Sequence, residues 1–116
     1  MLLQKNIDDK NLLFKALTFH DINLVNIVLD HNSKLSFINQ LSKDGRAICI
    51  AVKNNDLNIV KRLLSVPGID LNVRNTDGYT ALIQAIYDLN IVAVDIILAY
   101  YKDNMQSQMW QFYLIL

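Results

Sequence analysis

Apolar and polar positions along this chain fall into blocks that recur. Leu13 to Leu29 reads LFKALTFHDINLVNIVL, Ile48 to Leu64 reads ICIAVKNNDLNIVKRLL, and Leu82 to Leu98 reads LIQAIYDLNIVAVDIIL. Ala16, Ala51 and Ala85 align, as do Val25, Val60 and Val94, and Leu29, Leu64 and Leu98, so each matched column steps by 35 and then 34 residues. One offset shared by three columns marks an internal repeat. Each block opens with about two turns of apolar residues around the small Ala, passes a polar break, and continues apolar at helical spacing for about three turns. In the second block Ile48 and Ala51, then Ile59, Val60, Leu63 and Leu64, follow the i, i+3, i+4 rule for one buried stripe per helix. The pattern predicts three helix-turn-helix pairs, with Ala letting the paired backbones approach and with Leu63 and Leu98 alike in the core. The breaks are Phe19-His20-Asp21, Asn54-Asn55-Asp56 and Asp88-Leu89-Asn90, whose Asx side chains are suited to cap the second helix of each pair.

Between the second and third blocks, Pro67-Gly68 ends a helix, and Asn75 to Gly78 supplies a tight turn that predicts a short extended finger. Thr80 is placed to cap the helix that follows.

These residues carry a family resemblance. Asp77-Gly78-Tyr79-Thr80-Ala81-Leu82-Ile83-Gln84-Ala85 resembles the ankyrin-repeat signature around T-P-L-H-x-A, and Gly68-Ile69-Asp70-Leu71-Asn72 is similar to the linker that feeds the finger. The resemblance runs from about Asp9 to Tyr101. It implies an all-α, ankyrin-type helix-turn-helix solenoid with short hairpin fingers, one domain over 1–116 with units at about 9–42, 43–76 and 77–104. Residues 105–116 do not continue the motif, and are expected to be a C-terminal capping helix on the third unit or a degraded fourth repeat.

The departures from the motif set further expectations. Its Pro is replaced by Ala47 and Ala81, and its His by Phe14, Cys49 and Ile83, so apolar packing is expected to replace that histidine's bonds between loops. Asp44-Gly45 lies one residue nearer its helix than Asp77-Gly78 does, which predicts a distorted finger before the second unit. The family's inter-helix Gly is here His20, Asn55 and Leu89. A leucine is strained in a left-handed conformation, so the third turn is expected to differ from the other two.

Composition narrows the function. The 116 residues are 53% hydrophobic and 19% charged, a globular balance, and 11 Lys+Arg offset 11 Asp+Glu. Zero net charge gives no footprint for nucleic acid or anionic lipid, and no apolar run approaches the roughly 20 residues of a membrane span. All eleven acids are Asp, which favours caps and turns over helix interiors. The lone Cys49 and an opening without a basic, apolar leader lead to the expectation of an intracellular, cytoplasmic protein, or one delivered into a host cytosol.

Candidate chemistry is sparse. Gly45, Gly68 and Gly78 lie too far apart for a phosphate-binding loop. His20, His31 and Cys49 form no local metal-ligand set, and Cys49 shares a column with Phe14 and Ile83, which reads as core. Asp8-Asp9 reads as a solvated N-terminal cap and Lys61-Arg62 as a solvated helix face. No catalytic residue, cofactor or metal is expected, and the chain is not expected to be an enzyme.

The resemblance implies recognition of another protein through finger tips and the exposed positions of each first helix. Carried onto this sequence, the fingers offer Arg46, Arg74, Asn75 and Tyr79, beside Lys43 and Thr76. The first helices offer Lys53, Asn54, Gln84, Tyr87 and Asp88, beside Lys15, Phe19 and Ile50. Arg74, Tyr79 and Tyr87 are the expected anchors, because Arg and Tyr combine contact area with a polar handle. The alternative is a self-associating piece, dimeric through its apolar residues 105–116, or a remnant of a longer array.

Overall fold

The computed structural model describes residues 9–31 and 36–104. Its helices are α1 (Asp9–Thr18), α2 (Ile22–Asp30), α3 (Ala47–Lys53), α4 (Leu57–Leu64), α5 (Ala81–Tyr87) and α6 (Ile91–Asn104), with a 3-10 turn at Ser36–Asn39 and strands β1 (Leu41–Ser42) and β2 (Gly45–Arg46). They pair as the repeat predicts, α1 with α2, α3 with α4 and α5 with α6. The pairs then stack, α1 on α3 on α5 and α2 on α4 on α6.

The Ala column explains the pairing. Ala16, Ala51 and Ala85 are fully buried, and each supplies the carbonyl that closes its inter-helix turn. Asp21 N–H donates to Ala16 O at 2.9 Å, Asp56 to Ala51 at 3.0 Å and Asn90 to Ala85 at 2.9 Å, while His20, Asn55 and Leu89 donate to Leu17, Val52 and Ile86. This double closure needs a left-handed residue just past the helix. His20, Asn55 and Leu89 provide it at φ of 56°, 59° and 55°. The third turn therefore does not differ: the closing bonds and the buried alanine impose the same backbone on leucine.

The caps divide. Asp21 accepts from Leu24 N–H and Asn90 from Ala93 N–H, each at 3.1 Å. Thr80 accepts from Ile83 N–H at 3.2 Å. Asp56 makes no such cap bond; its Oδ2 lies 2.6 Å from His20 Nδ1 on the preceding turn.

The finger before α3 is the one with paired strands. Leu41 faces Arg46 and Ser42 faces Gly45 in antiparallel register, closed by Ser42 Oγ, which accepts from Asp44 N–H at 3.1 Å and donates to Gly45 O at 2.9 Å. Gly45 at φ 116° absorbs the missing residue, so the shorter spacing tightens this finger and does not distort it. Before α5 a side chain holds the loop: Asn75 Oδ1 accepts from Asp77 and Tyr79 N–H at 3.0 and 2.9 Å.

Polar bridges, and not apolar packing alone, stand in for the motif's histidine. Arg46 donates to Asn39 O at 2.8 Å and Arg74 O at 2.9 Å. The Asn39 side chain donates to Gly68 O and accepts from Asp70 N–H, both at 2.8 Å. Arg62 is half-buried and not a solvated face: it donates to Asn26 Oδ1 at 2.8 Å, to Ser65 Oγ at 3.0 Å and to Asp30 Oδ1, tying α4 to α2. Leu63 is fully buried, but Leu98 is only half-buried. Leu64, its counterpart, has another pair beside it.

Candidate partner-binding surface

The ends of the first helices and the turns after them form one edge of the stack. At this edge Thr18, Lys53 and Tyr87 share a column, as do Phe19, Asn54 and Asp88, and all six are exposed. Phe19 and Tyr87 are each 70% exposed. Tyr87 does not stand alone, since the Tyr79 ring lies 5.4 Å from it, tilted by 40°, within the range where aromatic rings attract. Tyr79 is half-buried, so a finger residue steadies the aromatic residue that ends α5.

The residues expected at the surface separate into framework and free positions. Gln84 is buried at 4% exposure, accepting from Asn75 Nδ2 at 3.2 Å and donating to Asp88 Oδ2 at 3.0 Å. Asn75 and Arg46 are half-buried and spend their polar atoms on the loops. Arg74 is exposed, with its guanidinium donating to Gly78 O at 2.8 Å. Lys53, Asn54 and Asp88 are exposed.

Beside Tyr87 lies a groove of about 590 Å³ lined by Val52, Lys53, Asn55, Asp88, Leu89, Asn90, Ile91 and Val92. The Asn90 side chain donates to Asn55 Oδ1 at 2.9 Å, joining the second and third turns. Leu89 is 84% exposed, and Ile91 and Val92 are exposed with it. Reading the sequence for tips and first helices missed these three residues. The signal was present in the repeat: Leu89 follows His20 and Asn55 in its column, and Val92 follows Asn23 and Asn58.

The other candidate groups are structural. Cys49 is buried, its thiol donating at 3.8 Å to Tyr79 O, and burial pushes that thiol up to about 11, far from a reactive thiolate. His31 Nδ1 lies 2.9 Å from Ile27 O at the end of α2. Among the described residues no three His, Cys, Asp or Glu gather as metal ligands, and no helix is long and apolar enough to cross a membrane.

Comparison with known proteins agrees with this architecture. The family model described as "Ankyrin repeats (many copies)" matches residues 38–99. The crystal structure of the ankyrin repeat protein EF0377 superposes with a TM-score of 0.71 at 22% identity, over 81% of this chain and 46% of that one. The chain thus spans about half the length of that solved protein. No curated protein matches the sequence.

Proposed function

Because the chain belongs to the ankyrin repeat family, whose repeats are protein–protein interaction modules and typically non-enzymatic, we propose that it is a non-enzymatic binding module for another protein. Its partner is captured along the edge built from Phe19, Lys53, Asn54, Tyr87, Asp88 and the Leu89–Val92 groove, with Arg74 flanking it. Arg46, Asn75, Tyr79 and Gln84 hold that edge in shape. The observation that carries this reading is the solvent exposure of Phe19, Tyr87, Leu89 and Ile91 on a frame whose polar side chains bond inward. Exposed apolar area costs about 25 cal/mol per Å², and a cluster rimmed by polar residues marks an interaction site. The partner that fits presents apolar side chains toward the groove, since Lys53 and Asp88 leave it without a dominant charge.

The test is capture from a cytosolic lysate by the full chain and by a Tyr87→Ala/Leu89→Asn double variant, with circular dichroism and thermal melting of both. A protein retained by the wild type and lost from the variant, with the circular dichroism kept and the melt not lowered, supports this surface. Identical eluates would place recognition elsewhere and overturn it.

A further inference from the structure

The residue before the second helix of each pair occupies one column of the repeat: Asp21, Asp56 and Asn90. Two of the three cap the helix they precede at the N–H three residues on, Asp21 at Leu24 and Asn90 at Ala93. Asp56 leaves α4 without a side-chain cap. Its backbone does not forbid one, since φ -87° and ψ 77° lie close to the φ -98° and ψ 92° of Asp21, which caps. A rotation of the side chain brings a carboxylate oxygen to Ile59 N–H, the matched donor. What holds it away is His20, whose Nδ1 lies 2.6 Å from Asp56 Oδ2 across the stacked turns. The next turn-to-turn link has no such conflict: Asn90 bonds Asn55 through Nδ2 and caps α6 through Oδ1.

We propose that Asp56 is a latch with two positions, set by the charge on His20. The contact needs a proton on Nδ1, because a carboxylate only accepts. Imidazolium always carries that proton, whereas neutral imidazole carries it in one of its two tautomers and without the charge that strengthens the bond. Histidine ordinarily changes charge between about pH 5 and pH 8, and the His20 side chain is 54% exposed, open to exchange of that proton with solvent. Few other charges surround it. Asp21, next in its own turn, is engaged in capping α2, and Lys15 and Lys53 stand in the last turns of α1 and α3. The first turns of α2 and α4 hold no charged side chain. His20 also follows the C-terminal end of α1, where a cation is favoured. With His20 charged, Asp56 bridges the first and second pairs, the position seen in the structure. With His20 neutral, Asp56 takes up the role of its column and caps α4 at Ile59 N–H. The latch rests on these turn contacts and is independent of what the partner-binding edge captures.

Amide proton shifts of the full chain, followed by NMR from about pH 5 to pH 8, read both positions. The Ile59 amide should move downfield as the pH rises, as a newly capped amide does, with the same midpoint as the ring protons of His20. The Ala93 amide, capped by the neutral Asn90, should stay in place. His20→Asn gives the first turn the residue that the second turn has in this column, Asn55, and should leave Ile59 insensitive to pH. Asp56→Ala, which removes the latch itself, should do the same. His31, the other histidine, lies at the far end of α2 beside Ile27 O, so an Ile59 midpoint that follows the His31 ring instead would overturn the proposal. An Ile59 amide that does not move in the wild type, or one that titrates unchanged in either variant, would overturn it as well.

Discussion

Leu89 holds a left-handed backbone at φ 55°, where a β-carbon costs roughly 1–2 kcal/mol. The matched turn in the second pair gives that place to Asn55, a residue type that tolerates the region. Leu89 is 84% exposed, so shortening it removes little buried area. Leu89→Asn should therefore stabilise the fold by about 1 kcal/mol, seen as a higher urea midpoint at constant slope. An unchanged or lowered midpoint would mean that the leucine side chain contributes packing that offsets its strain. Cys49 gives a pH dependence. Burial raises its thiol from 9.0 to about 11, with Arg46 pulling the other way. The unfolded thiol ionises near its ordinary value while the folded one keeps its proton. The stability linked to Cys49 is thus fully present below pH 9.0 and lost as pH rises towards about 11, by at most about 2–3 kcal/mol. Between about pH 8 and pH 10.5 the wild type should lose more stability than Cys49→Ala, a comparison that isolates the thiol's contribution.

At the scale of elements, the repeat register makes unequal predictions for two matched helices. Leu63→Ala in α4 empties a fully buried site and should cost about 2–5 kcal/mol. Leu98→Ala in α6, half-buried, should cost about half as much, and Lys53→Ala should stay within roughly 0.5 kcal/mol. Urea unfolding of the three variants checks the order; equal losses from Leu63 and Leu98 would mean that the end face is as well covered as the middle of the stack. The sequence alone treats the two leucines as equals, because periodicity reports which stripe of a helix is apolar and not whether a neighbour lies against it. For the same reason it located the three helix pairs and the breaks within them, while missing the 3-10 turn at Ser36–Asn39, the burial of Gln84 and the exposure of Leu89. The bridges Arg46 to Arg74 and Asn39 to Gly68 join residues 28 and 29 positions apart. No local pattern encodes such contacts, which explains why the bonds replacing the motif's histidine were read as apolar packing. The Asp56 cap failed differently: a competing partner, His20, arrives only once two turns are stacked.

Across the whole molecule, each helical pair touches only its neighbours, so stability is a sum of pair terms and interface terms. The interfaces carry the Arg62 bonds to α2, the His20–Asp56 contact and the Asn55–Asn90 bond. The α3–α4 pair has two such interfaces, with α1–α2 and with α5–α6. Native-state hydrogen exchange should then be slowest for the amides of α3 and α4, which open only when both interfaces are lost. Ile97 is fully buried in α6, and Ile97→Ala should speed exchange in α5 and α6 first, leaving α1 and α2 at their wild-type rates. Leu63→Ala acts on the central pair and should instead speed exchange in all six helices together, because losing that pair removes the neighbour of both others. If Ile97→Ala accelerated every helix equally, the stack would open as one cooperative unit, and the nearest-neighbour account of its stability would fail.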